Sequence, residues 1–214
     1  MTSTQITHET TRKRLLEAAG QVFAQHGFEK ATVREICRKA NANVASVNYH
    51  FGGKEDLYAE VVAYGAQQSV EAFPPDRGLG PNPLPEAELN AFIHSFLCRF
   101  LKKNQRGSWY STLCAREIVL PTRALDRVVR EVIRPLSDRL EAIVRRLVPR
   151  ASKLEVGRCA RSIVGQCLFY HHGRPVIERM GGPKKYADAD IRRLADHIAR
   201  FSLQGLRGWK GRAA

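Results

Sequence analysis

Side chains able to do chemistry are few and scattered in this 214-residue chain. The five cysteines are Cys37, Cys98, Cys114, Cys159 and Cys167. Their number is odd and no two share a tight metal-type spacing, so they read as small buried hydrophobes. Cys167 and His171 stand one helical turn apart and could be drawn with Cys159 and His172 as a zinc site. The missing Cys-x-x-Cys argues against it, and no metal is expected. A redox sensor would need an exposed, electropositive thiol. Nucleophile–base spacings and a Gly-rich phosphate loop are both missing, so neither an enzyme nor a cofactor is expected. The group that stands out lies at residues 44–54. The amide of Asn48 matches the donor–acceptor pair of adenine, and Ser46 can donate or accept. Val44 and Ala45 can touch thymine methyls.

Those residues need a helix to present them. A first helix is predicted from Thr11 to His26, with Leu15, Ala19, Val22 and Phe23 on one apolar stripe. Gly27 closes it, and Phe28 turns back to the core. Thr32 and Glu35 have the spacing of a capping box and open a short second helix, buried through Ile36 and ending near Ala40. Asn41 stands where the turn needs positive φ. Asn43 caps a third helix, with Val47 and Phe51 inward and Val44, Ala45, Ser46, Asn48, Tyr49 and His50 left outward. Three helices with so short a second turn make a helix-turn-helix, whose last helix enters the major groove of double-stranded DNA.

The same residues, from Thr11 through Gly53-Lys54-Glu55-Asp56-Leu57, resemble the N-terminal domain of the TetR family of transcriptional regulators. The resemblance covers about a quarter of the chain. It implies that Thr32, Arg34, Val44, Ala45, Ser46, Asn48, Tyr49, His50 and Lys54 meet DNA. Tyr49, His50 and Lys54 would face phosphates. Asn41 replaces the family's common Gly, and Asn48 stands where many members carry Tyr, which bears on the operator sequence. A weaker likeness joins Cys114–Thr122 and Ser162–Cys167 to a subgroup with a Trp-containing helix and an Arg-Glu…Pro-Thr element.

Charge does not make the DNA argument. The net charge is +14, but residues 1–60 hold 8 Lys+Arg against 7 Asp+Glu, and residues 61–214 hold 27 against 14. The excess reads as a solvated Arg-rich surface, or as a preference for an acidic ligand or partner. The expected organisation is all-α. Residues 1–60 form the DNA-binding domain, with 1–9 a disordered arm, and residues 61–214 form a helical ligand-binding and dimerisation domain. No run is long and apolar enough for a membrane span, and Met1–Glu9 lacks the apolar region of a secretory signal, so a cytoplasmic protein is expected.

Beyond a fourth helix from Gly53 to Glu71, the prolines at 74, 75, 81, 83 and 85 dictate a loop. Leu89, Phe92, Ile93, Phe96, Leu97 and Phe100 line one face of a helix over 86–104. A helix over 108–119 carries Trp109, Tyr110, Cys114, Arg116 and Glu117, and a long helix over 124–148 is expected to kink at Pro135. An effector pocket is expected among Phe92, Phe96, Phe100, Trp109, Tyr110, Cys114, Glu117 and Tyr170. Two terminal amphipathic helices, over 154–173 and 188–206, carry Ile163, Cys167, Ile191, Ile198 and Phe201. The family resemblance implies that they build a homodimer. The expected function is a dimeric repressor released from a palindromic operator by a small-molecule effector. The rival readings are a helical enzyme, a metal or redox sensor, and an architectural DNA binder that needs no ligand.

Overall fold

Local chemistry dictates most of the helix ends. In the computed structural model, which describes residues 3–102, 109–183 and 185–208, with side chains from residue 10 onward, α1 spans Ser3–Lys30. Gly27, at φ 78°, interrupts it where the sequence placed a stop. The arm expected over residues 1–9 lies outside the fully described residues. Helix α2 is Val33–Ala40, α3 is Ala45–Phe51 and α4 is Lys54–Ala72. After the proline-rich loop, α5 runs Pro85–Leu101, with Pro85 in its first turn, where its missing N–H costs nothing. The order continues with α6 (Trp109–Val119), α7 (Arg123–Val128), a π-turn (Val129–Ile133), α8 (Arg134–Leu147), α9 (Lys153–His172), α10 (Arg174–Arg179) and α11 (Asp188–Arg207). Among the described residues there is no strand, so the chain is all-α. No helix among them is long and apolar enough to cross a membrane.

The single kinked helix expected over 124–148 is instead α7, the π-turn and α8. Pro135 has no N–H to offer residue 131, and its ring crowds that carbonyl. The wider turn immediately before it takes up the mismatch.

The helices pack as two units, Met1–Ser69 with Gln105–Ile133, and Val70–Asn104 with Arg134–Ala214. A division after residue 60 therefore follows the DNA-binding motif, whereas packing joins α6 and α7 to that motif. In the first unit the core is Leu15, Leu16, Ala19, Val22, Phe23, Ile36, Val47, Leu57, Val61 and Leu113. In the second, Leu89, Phe92, Ile93 and Leu97 of α5 meet Leu140, Ile143 and Val144 of α8, Val156, Ile163 and Cys167 of α9, and Ile191, Ala195 and Ile198 of α11. Ser152 and Glu155 exchange a full capping box at the start of α9.

That core corrects one expectation. Ile163, Cys167, Ile191 and Ile198 are buried within the single chain, so they are unavailable to a second one. Of the five residues assigned to a dimer contact, Phe201 alone is exposed, at 66%.

Candidate nucleic-acid interface

The α2–α3 turn is built by three side chains acting locally. Thr32 Oγ1 accepts from the Glu35 N–H at 3.2 Å and caps α2. The Glu35 carboxylate pairs with His26 Nε2 at 3.2 Å, so the expected capping box is made in one direction and α2 is tied to α1 by the other. Asn41 sits at φ 49° and ψ 54°, and its N–H bonds back to the Arg38 carbonyl. Ala42 donates to the Cys37 carbonyl at 2.9 Å, which completes the stop. Asn43 Oδ1 then accepts from the Ala45 N–H at 2.9 Å and starts α3.

On α3, Val47 is fully buried and acts as the pin. Val44, Ala45, Asn48 and Tyr49 are exposed, Tyr49 at 73%, while Ser46 and His50 are half-buried. The Tyr49 and His50 rings meet edge-on at 5.0 Å. Phe51 is half-buried beneath the Arg12 guanidinium, 5.4 Å from its ring. Thr32 and Arg34 of α2 are exposed. Gly52, at φ 85°, ends α3 and lets the chain turn at once into α4. There Lys54 donates from Nζ to the Glu29 carbonyl at 3.2 Å and lies 4.6 Å over the Phe28 ring. An ammonium held through one donor still has two to offer.

Behind this face stands an arrangement that the sequence reading missed. Trp109 of α6 enters between α1 and α4, where Gly20 and Gly65 make room. A Cβ on Gly20 would sit 2.3 Å from the Trp109 ring, and one on Gly65 2.7 Å. Trp109 Nε1 donates to Glu17 Oε2 at 3.4 Å, and the Tyr64 hydroxyl donates to Glu17 Oε1 at 3.1 Å. Arg116 donates to the Phe23 carbonyl at 2.6 Å. Glu117, only 2% exposed, accepts from the Tyr58 hydroxyl at 2.8 Å and from the Thr122 N–H at 3.0 Å. Burial first, and then the Glu117 carboxylate, push the Tyr58 phenol well above its ordinary value. Glu60 of α4 takes Arg12 of α1 and Arg127 of α7 together. Burial alone would raise its carboxyl, but the two guanidinium groups outweigh that and hold it below the usual range. The one hint in the sequence was a glycine inside each of two helical patterns, which marks close approach.

These contacts change the expected pocket. Trp109, Tyr110 and Glu117 are buried in the first unit, Trp109 and Glu117 with their polar groups engaged there, and Cys114 is half-buried beside them. They join α6 to α1 and α4. Phe92, Phe96, Phe100 and Tyr170 belong to the second unit. Phe92 is core, while Phe96, Phe100 and Tyr170 are half-buried. Phe96 stacks on Phe100 at 4.9 Å, and Phe100 lies 5.1 Å from the His171 ring. The buried Arg99 has its guanidinium 5.3 Å over Phe96.

All five cysteines are free, and burial raises each thiol, Cys167 to about 12. A reactive thiol needs the opposite shift. Among the described residues no three His, Cys, Asp or Glu side chains are placed to hold a metal ion.

Comparison with known proteins gives two family matches. "Bacterial regulatory proteins, tetR family" matches residues 15–61, and "HTH-type transcriptional dual regulator CecR, C-terminal domain" matches residues 85–206. The dual regulator CecR of Shigella flexneri is 28% identical over 177 residues, covering 79% of each chain. SrpR of Pseudomonas putida, an HTH-type transcriptional regulator, is 37% identical over 71 residues, 33% of each chain. A TetR-like regulator from Rhodococcus sp. RHA1 superposes with TM-score 0.62 at 21% identity, over 92% of this chain and 96% of its own. The fatty acid degradation regulator FadR of Bacillus halodurans superposes with TM-score 0.66 at 15% identity, over 90% and 98%.

Proposed function

Because the chain belongs to the TetR family of DNA-binding transcriptional regulators, with a C-terminal domain of the CecR type, we propose that it is a dimeric repressor released from a palindromic operator by a small organic effector. The observation that carries this reading is α3. One side is pinned by the fully buried Val47, and the other shows Val44, Ala45, Asn48 and Tyr49 to solvent from a turn closed at both ends. Asn48 and Ser46 read base edges in the major groove, and Tyr49, His50 and Lys54 hold phosphates. Thr32 and Arg34 flank the groove from α2.

One such helix covers a single half-site, and two copies reach half-sites about one helical turn apart, ~34 Å or somewhat more. The second copy docks on the outward faces of α9 and α11. There Phe169 and Phe201 are 57% and 66% exposed, and Gly165 and Gly205 have nothing within 4 Å of where a Cβ would stand. Small residues beside exposed aromatics suit close helix packing. The effector binds in the second unit along Phe96, Phe100 and Tyr170, where aromatic faces line α5 and α9. It acts as an inducer to the extent that it prefers the state off DNA.

Gel-shift titration against the DNA just upstream of the protein's own coding region tests this. Tight binding to a palindrome there, with random DNA at least a thousandfold weaker, is the expected result. Equal affinity for all sequences contradicts it.

A further inference from the structure

We infer that Arg116 and Glu117 of α6 are positioning residues for the Lys54–phosphate contact. The inference rests on the role proposed above for Lys54. The seat of Lys54 is the segment just beyond Gly27. Phe28 lies under its ammonium at 4.6 Å, and the Glu29 carbonyl accepts from Nζ at 3.2 Å. Gly27, at φ 78° and ψ 170°, breaks the helix immediately before that segment, so the helical ladder alone does not fix its direction.

Arg116 supplies the first constraint. It donates to the Phe23 carbonyl at 2.6 Å, in the last turn before the break. Carbonyls there need partners from outside the helix, and a cation suits that end of the dipole. The same guanidinium lies 3.4 Å from where a Cβ on Gly27 would stand, so it rests against the break itself.

Glu117 supplies the second. It accepts from the Tyr58 hydroxyl at 2.8 Å, one turn of α4 beyond Lys54. The Tyr58 ring lies 5.1 Å from Phe28 and 5.0 Å from Phe23. Two neighbouring side chains of α6 thus fix both walls of the seat, Arg116 through the end of α1 and Glu117 through Tyr58. A lysine on a flexible four-carbon stem gives a strong phosphate contact when its stem and one donor are already placed. Any displacement of α6 therefore reaches a phosphate-binding group without passing through the base-reading residues.

The test is the salt dependence of operator binding by the full-length protein. Each phosphate contact contributes ~0.9 to the slope of log K against log[salt], so Lys54→Ala removes about two units from a dimer on two half-sites. Arg116→Met is expected to remove most of the same amount, and Arg116→Met with Lys54→Ala no more than Lys54→Ala alone. Arg116→Lys, which can still donate to the Phe23 carbonyl, restores the slope. Loss of folded protein lowers the active fraction and leaves the slope unchanged, so the slope separates positioning from stability. Should Arg116→Met fail to fold, Tyr58→Phe decides, since it deletes the phenol oxygen alone; a reduced slope is expected. A full wild-type slope in Arg116→Met or Tyr58→Phe, beside a reduced one in Lys54→Ala, overturns the inference. So does a double variant that loses the sum of the two singles. A full slope in Lys54→Ala overturns the role of Lys54 itself, and the inference with it.

Discussion

Substituting Gly20 by Ala tests whether α6 is built into the DNA-binding unit. In an exposed helix the change would stabilise by ~1 kcal/mol, because Ala is the better helix former. Here the added methyl lands 2.3 Å from Cε2 of Trp109, and the ring lies between α1 and α4, with Gly65 closing the other side. Ordinary contact would require the ring to retreat by about 1 Å, and a close-packed interior resists that. Overpacking of this kind costs roughly 1–3 kcal/mol, and a rigid indole between two helices belongs at the upper end. The expected net effect is a loss of about 2 kcal/mol. Removing the obstacle reverses the sign. In a Trp109→Ala background, Gly20→Ala should stabilise by up to ~1 kcal/mol, so the coupling between the two sites is about 3 kcal/mol. Urea unfolding of the four proteins, followed by far-UV circular dichroism, measures it. If Gly20→Ala stabilises the protein with Trp109 present, or the coupling is near zero, α6 does not fill the α1–α4 gap and the reasoning fails.

Other expectations follow from single contacts. Asn48→Ala should cost about 1–3 kcal/mol on the operator and little on random DNA, as read by gel shift. Asn41→Ala should destabilise by ~1 kcal/mol in urea, because Ala tolerates the left-handed conformation poorly, whereas Asn41→Gly should be close to neutral. Phe201→Glu should give a folded monomer by light scattering; Ile163→Glu should unfold the second unit, because its side chain is core. Glu60 has a folded-state pKa below its unfolded value, so its contribution is full above the ordinary carboxylate range and is lost as pH falls through the folded value. Glu60→Gln should therefore lose less stability than wild type when urea midpoints at neutral and acid pH are compared.

The DNA-binding half was legible because its punctuation is local. Gly27, Thr32, Asn41 and Asn43 each act on a backbone group within a few residues, and the observed bonds are those their side chains predict. Periodicity reported correctly that Ile163, Cys167, Ile191 and Ile198 are buried, but an apolar stripe does not say against what. They close their own unit. The same gap hid the place of α6, because amphipathicity names no partner, and the glycines that admit Trp109 lie ninety and forty residues upstream in the sequence. Pro135 announced a break, while the wide turn that absorbs it depends on a shift of backbone bonds that no side chain specifies. Helix α10, six residues long with Pro175 in its first turn, is too short for periodicity to show.

Selection from a pool of random duplex DNA tests the central claim most directly. The account predicts that the wild-type protein enriches a palindrome with half-sites about one helical turn apart. It also predicts that Asn48→Ala relaxes one base position in each half-site and leaves the spacing intact. A pool that never converges, or a consensus unchanged by Asn48→Ala, would contradict it.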